Sequence, residues 1–296
     1  MNRADRLETM MDAALLTTEP ILDYLAVAAA DRAACVQLLE GTPGPAAVEV
    51  IAALRTSLCA GVSELPVLVQ ADETDWIEAF LRFTPELLCW HAERGIADEV
   101  SRATLADVGR NLEINRRVHG RFGMDTHTWL IHHFTGRLYQ LGRLQYLLHR
   151  GAVPAAGGGI PGAESGDWRL GIHIPESGGL DPETVHASLD LARPFFTRHF
   201  PDQPVRIADC ASWLLDPYIA GYLDSDSNIV RFANRFTPYG HPLDAPTDAV
   251  YFTFRTRSSD PELASLPRRT SLQRMVLERI DDGGCWQLGF GYLELP

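Results

Sequence analysis

Up to about Arg121 the apolar positions recur every three to four residues, the spacing that lays one apolar stripe along an α-helix. The pattern predicts helices over Pro20–Leu39, Pro45–Leu58, Glu73–Arg94 and Ala103–Val118. Trp76, Phe80, Phe83, Leu87 and Trp90 make the densest stripe. Pro85 lies within it and predicts a kink or a break, because proline removes a backbone donor and crowds the preceding turn. Gly41, Gly61, Gly95 and Gly120 follow these segments as stop signals. Aromatic stripes of this kind belong to cores, and no chemistry is visible in this half.

The pattern changes after Gly123. Within Thr128–Arg150, the stretch Leu141–Leu148 suits a strand, and Gly151–Gly166 reads as a loop because of its Gly, Ala and Pro content. Leu170, Ile172 and Ile174 alternate at period two, so Arg169–Pro175 is predicted as a half-buried strand. It passes through Ser177-Gly178-Gly179-Leu180 into Asp181-Pro182-Glu183, where aspartate is suited to cap a helix and proline to be its first residue. A strand that runs through glycines into a helix N-terminus turns backbone N–H groups toward one concavity, which suits phosphate oxygens. Val205–Leu215 reads as a second strand, and Asp216-Pro217 opens a short helix to Leu223. Ser227–Phe236 fits a helix or a strand, Ala249–Arg255 alternates as a strand, Thr270–Ile280 is a helix, and Cys285–Leu295 is a closing strand. The expectation is an α+β protein with a helical domain over residues 1–125 and a second domain over 126–296.

Composition narrows the function classes. The chain has 296 residues, 46% apolar and 22% charged, which is enough for two ordinary soluble domains. No apolar run reaches membrane-spanning length. The start, with Glu8 and Asp12, does not resemble a signal-peptide core, so the expected location is cytoplasmic and no membrane partner is expected. A net charge of −13 disfavours nucleic acid as a partner. The five cysteines are dispersed, which predicts reduced thiols. His127, His132 and His133 are separated by five and six residues rather than four, and no metal is expected. Every one of the 26 basic residues is arginine. The absence of lysine excludes Schiff-base chemistry, pyridoxal-phosphate attachment and a Walker-type phosphate lysine.

Six segments in order carry a resemblance: Leu138–Tyr146, His173-Ile-Pro-Glu-Ser-Gly-Gly-Leu180, Ser188–Phe196, Cys210-Ala-Ser-Trp-Leu-Leu-Asp-Pro217, Ser227-Asn-Ile229 with Phe232, and Thr270-Ser-Leu-Gln-Arg274. Together they resemble a bacterial group of acyltransferase-domain proteins. These join a helical N-terminal domain to a C-terminal domain similar to the GNAT (N-acetyltransferase) fold. The resemblance implies a mixed β-sheet flanked by helices, with Arg169–Pro175 and Val205–Leu215 as central parallel strands that splay apart. Acetyl-CoA or another acyl-CoA would enter the splay, its pantetheine arm along Ile172 and Ile174. Its pyrophosphate would lie on Ser177, Gly178, Gly179 and Leu180. The implied acceptor is a small-molecule amine.

Acyl transfer to an amine needs a base, donors that polarise the thioester carbonyl, and an acid for the departing thiolate. The resemblance puts the acid on the helix after the second splayed strand, where Tyr218 and Tyr222 lie, and Tyr222 suits the spacing better. His173 and Glu176 are the candidate bases; a packed tyrosine and a hydrogen-bonded core histidine are the plain structural alternatives. Asp216 is either a polar tether for that helix or simply its cap. The chain lacks the Gln/Arg-x-x-Gly-x-Gly/Ala signature, and Asp181 and Glu183 set acids on the first helical turn. These departures favour a second reading, a non-catalytic module that binds acyl-CoA or a partner protein. A hydrolase using Cys210 or Ser212 has no Gly-x-Ser-x-Gly context to support it. The oligomeric state is not fixed by the sequence, and a homodimer stays open.

Overall fold

A computed structural model of the chain describes residues 17–60, 70–151, 158–256 and 263–296. Residues 1–16, Gly61 and residues 152–157 of the expected loop lie outside the described residues. The chain forms two compact units. One runs to His149 and includes Arg198–Pro201; the other comprises Arg150–Thr197 and Asp202–Pro296.

The first unit contains α1 (Thr18–Tyr24), α2 (Ala29–Glu40), α3 (Pro45–Ala60), α4 (Glu73–Glu93), α5 (Asp98–Leu105), α6 (Asp107–His119) and α7 (His127–Phe134). A hairpin of β1 (Leu138–Leu141) and β2 (Leu144–Arg150) follows. Asp72 starts α4 by accepting from the amides of Thr74 and Asp75 at 2.8 and 2.9 Å, and Asp75 returns a bond to the Asp72 amide. The helix continues unbroken through Pro85. An internal proline costs about 3 kcal/mol. Burial of Trp76, Phe80, Phe83 and Leu87 against α1, α2, α3 and α7 outweighs that, at about 1.5–3 kcal/mol per large side chain.

The segment expected as one helix over Pro20–Leu39 is two, parted at Leu25–Ala28. There Ala26 adopts φ 53°, and the Leu25 carbonyl accepts from the Gly109 amide at 3.0 Å. A Cβ on Gly109 would stand 2.1 Å from the Ala26 oxygen, so glycine is required for this approach. The strand expected over Leu141–Leu148 becomes a hairpin, with Leu138↔Leu147 through Leu141↔Leu144 in register. It turns at Gly142, φ 67°.

The second unit holds β3 (Trp168–His173), α8 (Pro182–His199), β4 (Ile207–Ser212), α9 (Pro217–Tyr222), α10 (Asn228–Ala233), β5 (Thr237–Pro238), β6 (Leu243–Asp244), α11 (Asp248–Phe254), α12 (Ser271–Asp281) and β7 (Gln287–Glu294). The sheet is mixed: β3 and β4 are parallel, β4 and β7 antiparallel, and β5 and β6 attach to β7. The α+β class and the helix-flanked mixed sheet agree with expectation. Thr270 and Gln273 form the capping box of α12. Ser227–Phe236 resolves as the helix α10, its Val230 amide capped by Ser227. Ala249–Arg255 is a helix, α11, and not a strand. Its β-branched and aromatic residues imitate alternation, but Ala249 and Val250 are both fully buried in the cluster formed by Trp213, Ile219, Val230, Met275, Val276 and Trp286. Adjacent residues share a face in a helix, not in a strand.

Candidate functional site

The ladder between the two parallel strands is short. β4 pairs with β7 along its full length, Ile207↔Glu294 through Ser212↔Gly289. Its ladder with β3 consists of Leu170↔Ala208 and Gly171↔Asp209, although β3 runs on to His173 and β4 to Ser212. Ile172 is buried, His173 half-buried at the strand end, and Ile174 half-buried just beyond it.

The segment after β3 is an exposed turn. The Ser177 amide donates to the Pro175 carbonyl at 2.8 Å, Gly178 takes φ 105°, and Leu180 returns to the interior. A Cβ at Gly178 or Gly179 would meet nothing within 4 Å, so open space surrounds the turn. Only Gly178 needs glycine for its backbone angle. Asp181 caps α8 as expected, its Oδ1 accepting from the Glu183 and Thr184 amides at 3.1 and 3.0 Å. Those two amides are therefore satisfied internally, and the helix offers a ligand its dipole rather than these donors.

Two guanidinium groups from distant segments reach this region. Arg255, in the left-handed conformation at the end of α11 (φ 54°), forms an ion pair with Glu176. Arg235, just after α10, donates to the Pro182 carbonyl at 2.9 Å, at the start of α8. They supply positive charge beside Glu176, Asp181 and Glu183. Neither was identified from the sequence. Arg255 fell in a segment read as a strand, and Arg235 has no local motif to single it out.

Tyr222 stands exposed at the end of α9 and donates its hydroxyl to Glu278 of α12. That bond, with a small contribution from burial, raises its phenol above the usual range. Among the described hydrogen bonds its hydroxyl partner is α12 and not the turn. Asp216 does both jobs weighed for it. Its Oδ1 caps α9 by accepting from the Tyr218 amide, and its Oδ2 accepts from the Gln287 amide of β7, both at 2.9 Å, with Arg279 at 3.5 Å. Burial and the nearby Asp209 push the Cys210 thiol up to about 12, so it stays a thiol at neutral pH. Ser212 accepts from the Leu214 amide at 3.1 Å. Both residues are thus part of the structural frame, which removes support from the hydrolase reading.

His133, on α7, instead pairs with buried Asp107 at 3.0 Å. Burial alone would raise the Asp107 carboxyl, but His133 and Arg110 outweigh it and hold it well below the usual range. Among the described residues no group of three or more His, Cys, Asp or Glu side chains is placed to hold a metal ion. No described helix is long and apolar enough to cross a membrane.

Comparison with known proteins gives a family for this geometry. Residues 17–136 match the model of the N-acyltransferase N-terminal domain, and residues 138–293 match the GNAT-like C-terminal domain. An acyltransferase crystallised with decanoyl-CoA is similar at 33% identity and a TM-score of 0.78, over 94% of this chain and 88% of that one. A structure of an acyltransferase with decanoyl-CoA and teicoplanin matches at 32% identity and TM-score 0.75, with the same coverage. A mutant acyltransferase with octanoyl-CoA matches at 31% and 0.75, again over 94% and 88%. No curated protein matches the chain.

Proposed function

Because the chain belongs to the family of acyltransferases that join an N-acyltransferase N-terminal domain to a GNAT-like C-terminal domain, we propose that it transfers an acyl group from coenzyme A to an amine. The observation that carries this reading is the end of the β3–β4 ladder at Gly171↔Asp209, followed by the glycine turn and α8. The related structures with octanoyl-CoA and decanoyl-CoA support a donor of medium chain length, beyond acetyl-CoA. The pantetheine arm follows Ile172 and Ile174. The pyrophosphate lies over Ser177, Gly178, Gly179 and Leu180, with Arg235 and Arg255 offsetting the acidic side chains nearby. The related complex with teicoplanin makes an amine on a glycopeptide-class molecule the first acceptor to test, ahead of the small amine expected from the sequence.

In this reading His173 removes a proton from the acceptor ammonium, since an imidazole titrates near working pH. The freed nitrogen attacks the thioester carbonyl, the carbonyl oxygen takes the negative charge, and the C–S bond breaks as the carbonyl re-forms. The leaving thiolate takes its proton from Tyr222, and the second proton lost by the acylated nitrogen passes to the tyrosinate, which leaves a neutral amide and a restored phenol. The phenol, raised by Glu278, is protonated at neutral pH. Glu176 acts through its pairing with Arg255, holding the turn in place, rather than as the base.

The test is release of free coenzyme A thiol from acetyl-, octanoyl- and decanoyl-CoA over a panel of small amines and teicoplanin, with acylated product read by mass spectrometry. Thiol release coupled to an acylated amine is expected, with the longer donors preferred. Thermal stabilisation by acyl-CoA with no thiol release from any pair would favour the non-catalytic binding module instead.

A further inference from the structure

At the opposite ends of the same two strands, where β3 and β4 begin, lies a cleft of about 370 Å³. Its walls include Arg150, Arg169 and Arg206, with Asp167 and Trp168. Among the described residues that line it, three guanidinium groups meet one carboxylate, in a protein whose net charge is −13.

Arg169 is the unusual member. It is 4% exposed, yet among the described residues no carboxylate forms an ion pair with it. Its Nη2 donates to the Glu164 carbonyl at 2.9 Å, and its buried Nε has no hydrogen-bond partner among the described residues. Burying a cation is costly unless charged or polar groups compensate it.

The local backbone is built around this group. The Gly151 amide donates to the Asp167 carbonyl and the Gly166 amide to the Gly151 carbonyl, both at 2.8 Å. A Cβ on Gly151 would stand 2.2 Å from Arg169 Cζ, so glycine makes room for the guanidinium. Arg150 lies 4.3 Å over the Trp168 ring and donates to the Gly166 carbonyl at 2.8 Å, which holds its planar head at the cleft. Arg206 is exposed at the head of β4. Asp167 is already occupied in part, its Oδ2 accepting from the Glu164 amide at 2.8 Å.

We propose that this cleft is a second ligand site, one that binds a small phosphate-bearing molecule. Guanidinium forks match oxyanion geometry, and three of them suit a dianion. The volume exceeds that of a lone phosphate, which leaves space for the body of the molecule beside Trp168. The site is independent of the acyl-transfer reading, because it lies at the other end of β3 from the glycine turn.

Inorganic phosphate, pyrophosphate and malonate are the probes, added at constant ionic strength held with sodium chloride while Tm and binding heat are followed. Wild type is expected to show a saturable rise in Tm with phosphate or pyrophosphate and a smaller one with malonate. Gly179→Asp, which alters only the other end of the strand, is expected to keep the response to inorganic phosphate. Arg206→Gln and Arg150→Gln, both at exposed positions, are expected to weaken it at least tenfold. Arg169→Met should abolish it, and should that variant fail to fold, the two exposed variants still decide the matter. Equal titration of wild type and both exposed variants would overturn the site, as would no response to phosphate or pyrophosphate. A malonate response equal to that of phosphate would overturn the phosphate assignment.

Discussion

Asp216 offers the sharpest test of how the second unit is held together. Its carboxylate is buried and accepts two backbone amides, Tyr218 at the start of α9 and Gln287 at the start of β7, each at 2.9 Å. Hydrogen bonds to a charged group contribute about 1.5–3 kcal/mol each, and removal of the acceptor also leaves the donors unsatisfied. Asp216→Ala should therefore cost about 3–5 kcal/mol, a large share of the roughly 5–15 kcal/mol that stabilises a typical domain. Asp216→Asn keeps one acceptor oxygen but turns an NH2 group toward the second amide, and about 2 kcal/mol is expected. Urea denaturation gives the difference through the midpoint at unchanged slope, and hydrogen exchange at the Gln287 amide locates it. An alanine variant within about 1 kcal/mol of wild type would refute the reasoning. So would an asparagine variant as damaged as alanine.

Three further outcomes follow from the same geometry. Tyr222→Phe should lower kcat by roughly one to two orders of magnitude with little change in the KM for acyl-CoA, as loss of a general acid does, and an unchanged kcat would remove Tyr222 from the mechanism. Gly179→Asp meets no steric obstacle, so it should fold like wild type and raise the KM for acyl-CoA by charge repulsion alone; wild-type affinity would refute the pyrophosphate assignment. His91, buried beside Ser101, is lowered by its burial and by Arg94 to about 3, from an unfolded value of 6.5. Its contribution to stability is complete above pH 6.5 and declines as pH falls toward 3, by about 3 kcal/mol at pH 4. His91→Gln should flatten that part of the stability profile, and an unchanged slope would refute the assignment.

Local signals carried much of the fold. The stripe on α4, the alternation of Leu170 and Ile172, and the Asp-Pro starts of α8 and α9 specify their elements through nearest neighbours, and the structure follows them. What escaped was decided by contacts distant in sequence. Nothing near Ala26 announces a break, which exists because Gly109 lets another helix approach. Pro85 announces one that packing overrides. Ala249–Arg255 has the composition of a strand but a helical burial pattern, visible only against Met275 and Trp286.

The candidate site divides in the same way. Ile172 to Leu180 is contiguous, so a short motif can mark it. The arginines that reach it, Arg235 and Arg255, and the carboxylate that holds Tyr222, Glu278, come from segments 53 to 79 positions away from their partners. No spacing rule connects them.

The central claim is that the β3 backbone beyond Gly171 and the glycine turn receive the thioester. Hydrogen exchange of the backbone amides with and without decanoyl-CoA tests it residue by residue. Protection concentrated at Ile172, Ile174 and Ser177–Leu180 is the predicted result. Full occupancy by decanoyl-CoA with those amides exchanging as fast as in the ligand-free protein would contradict it.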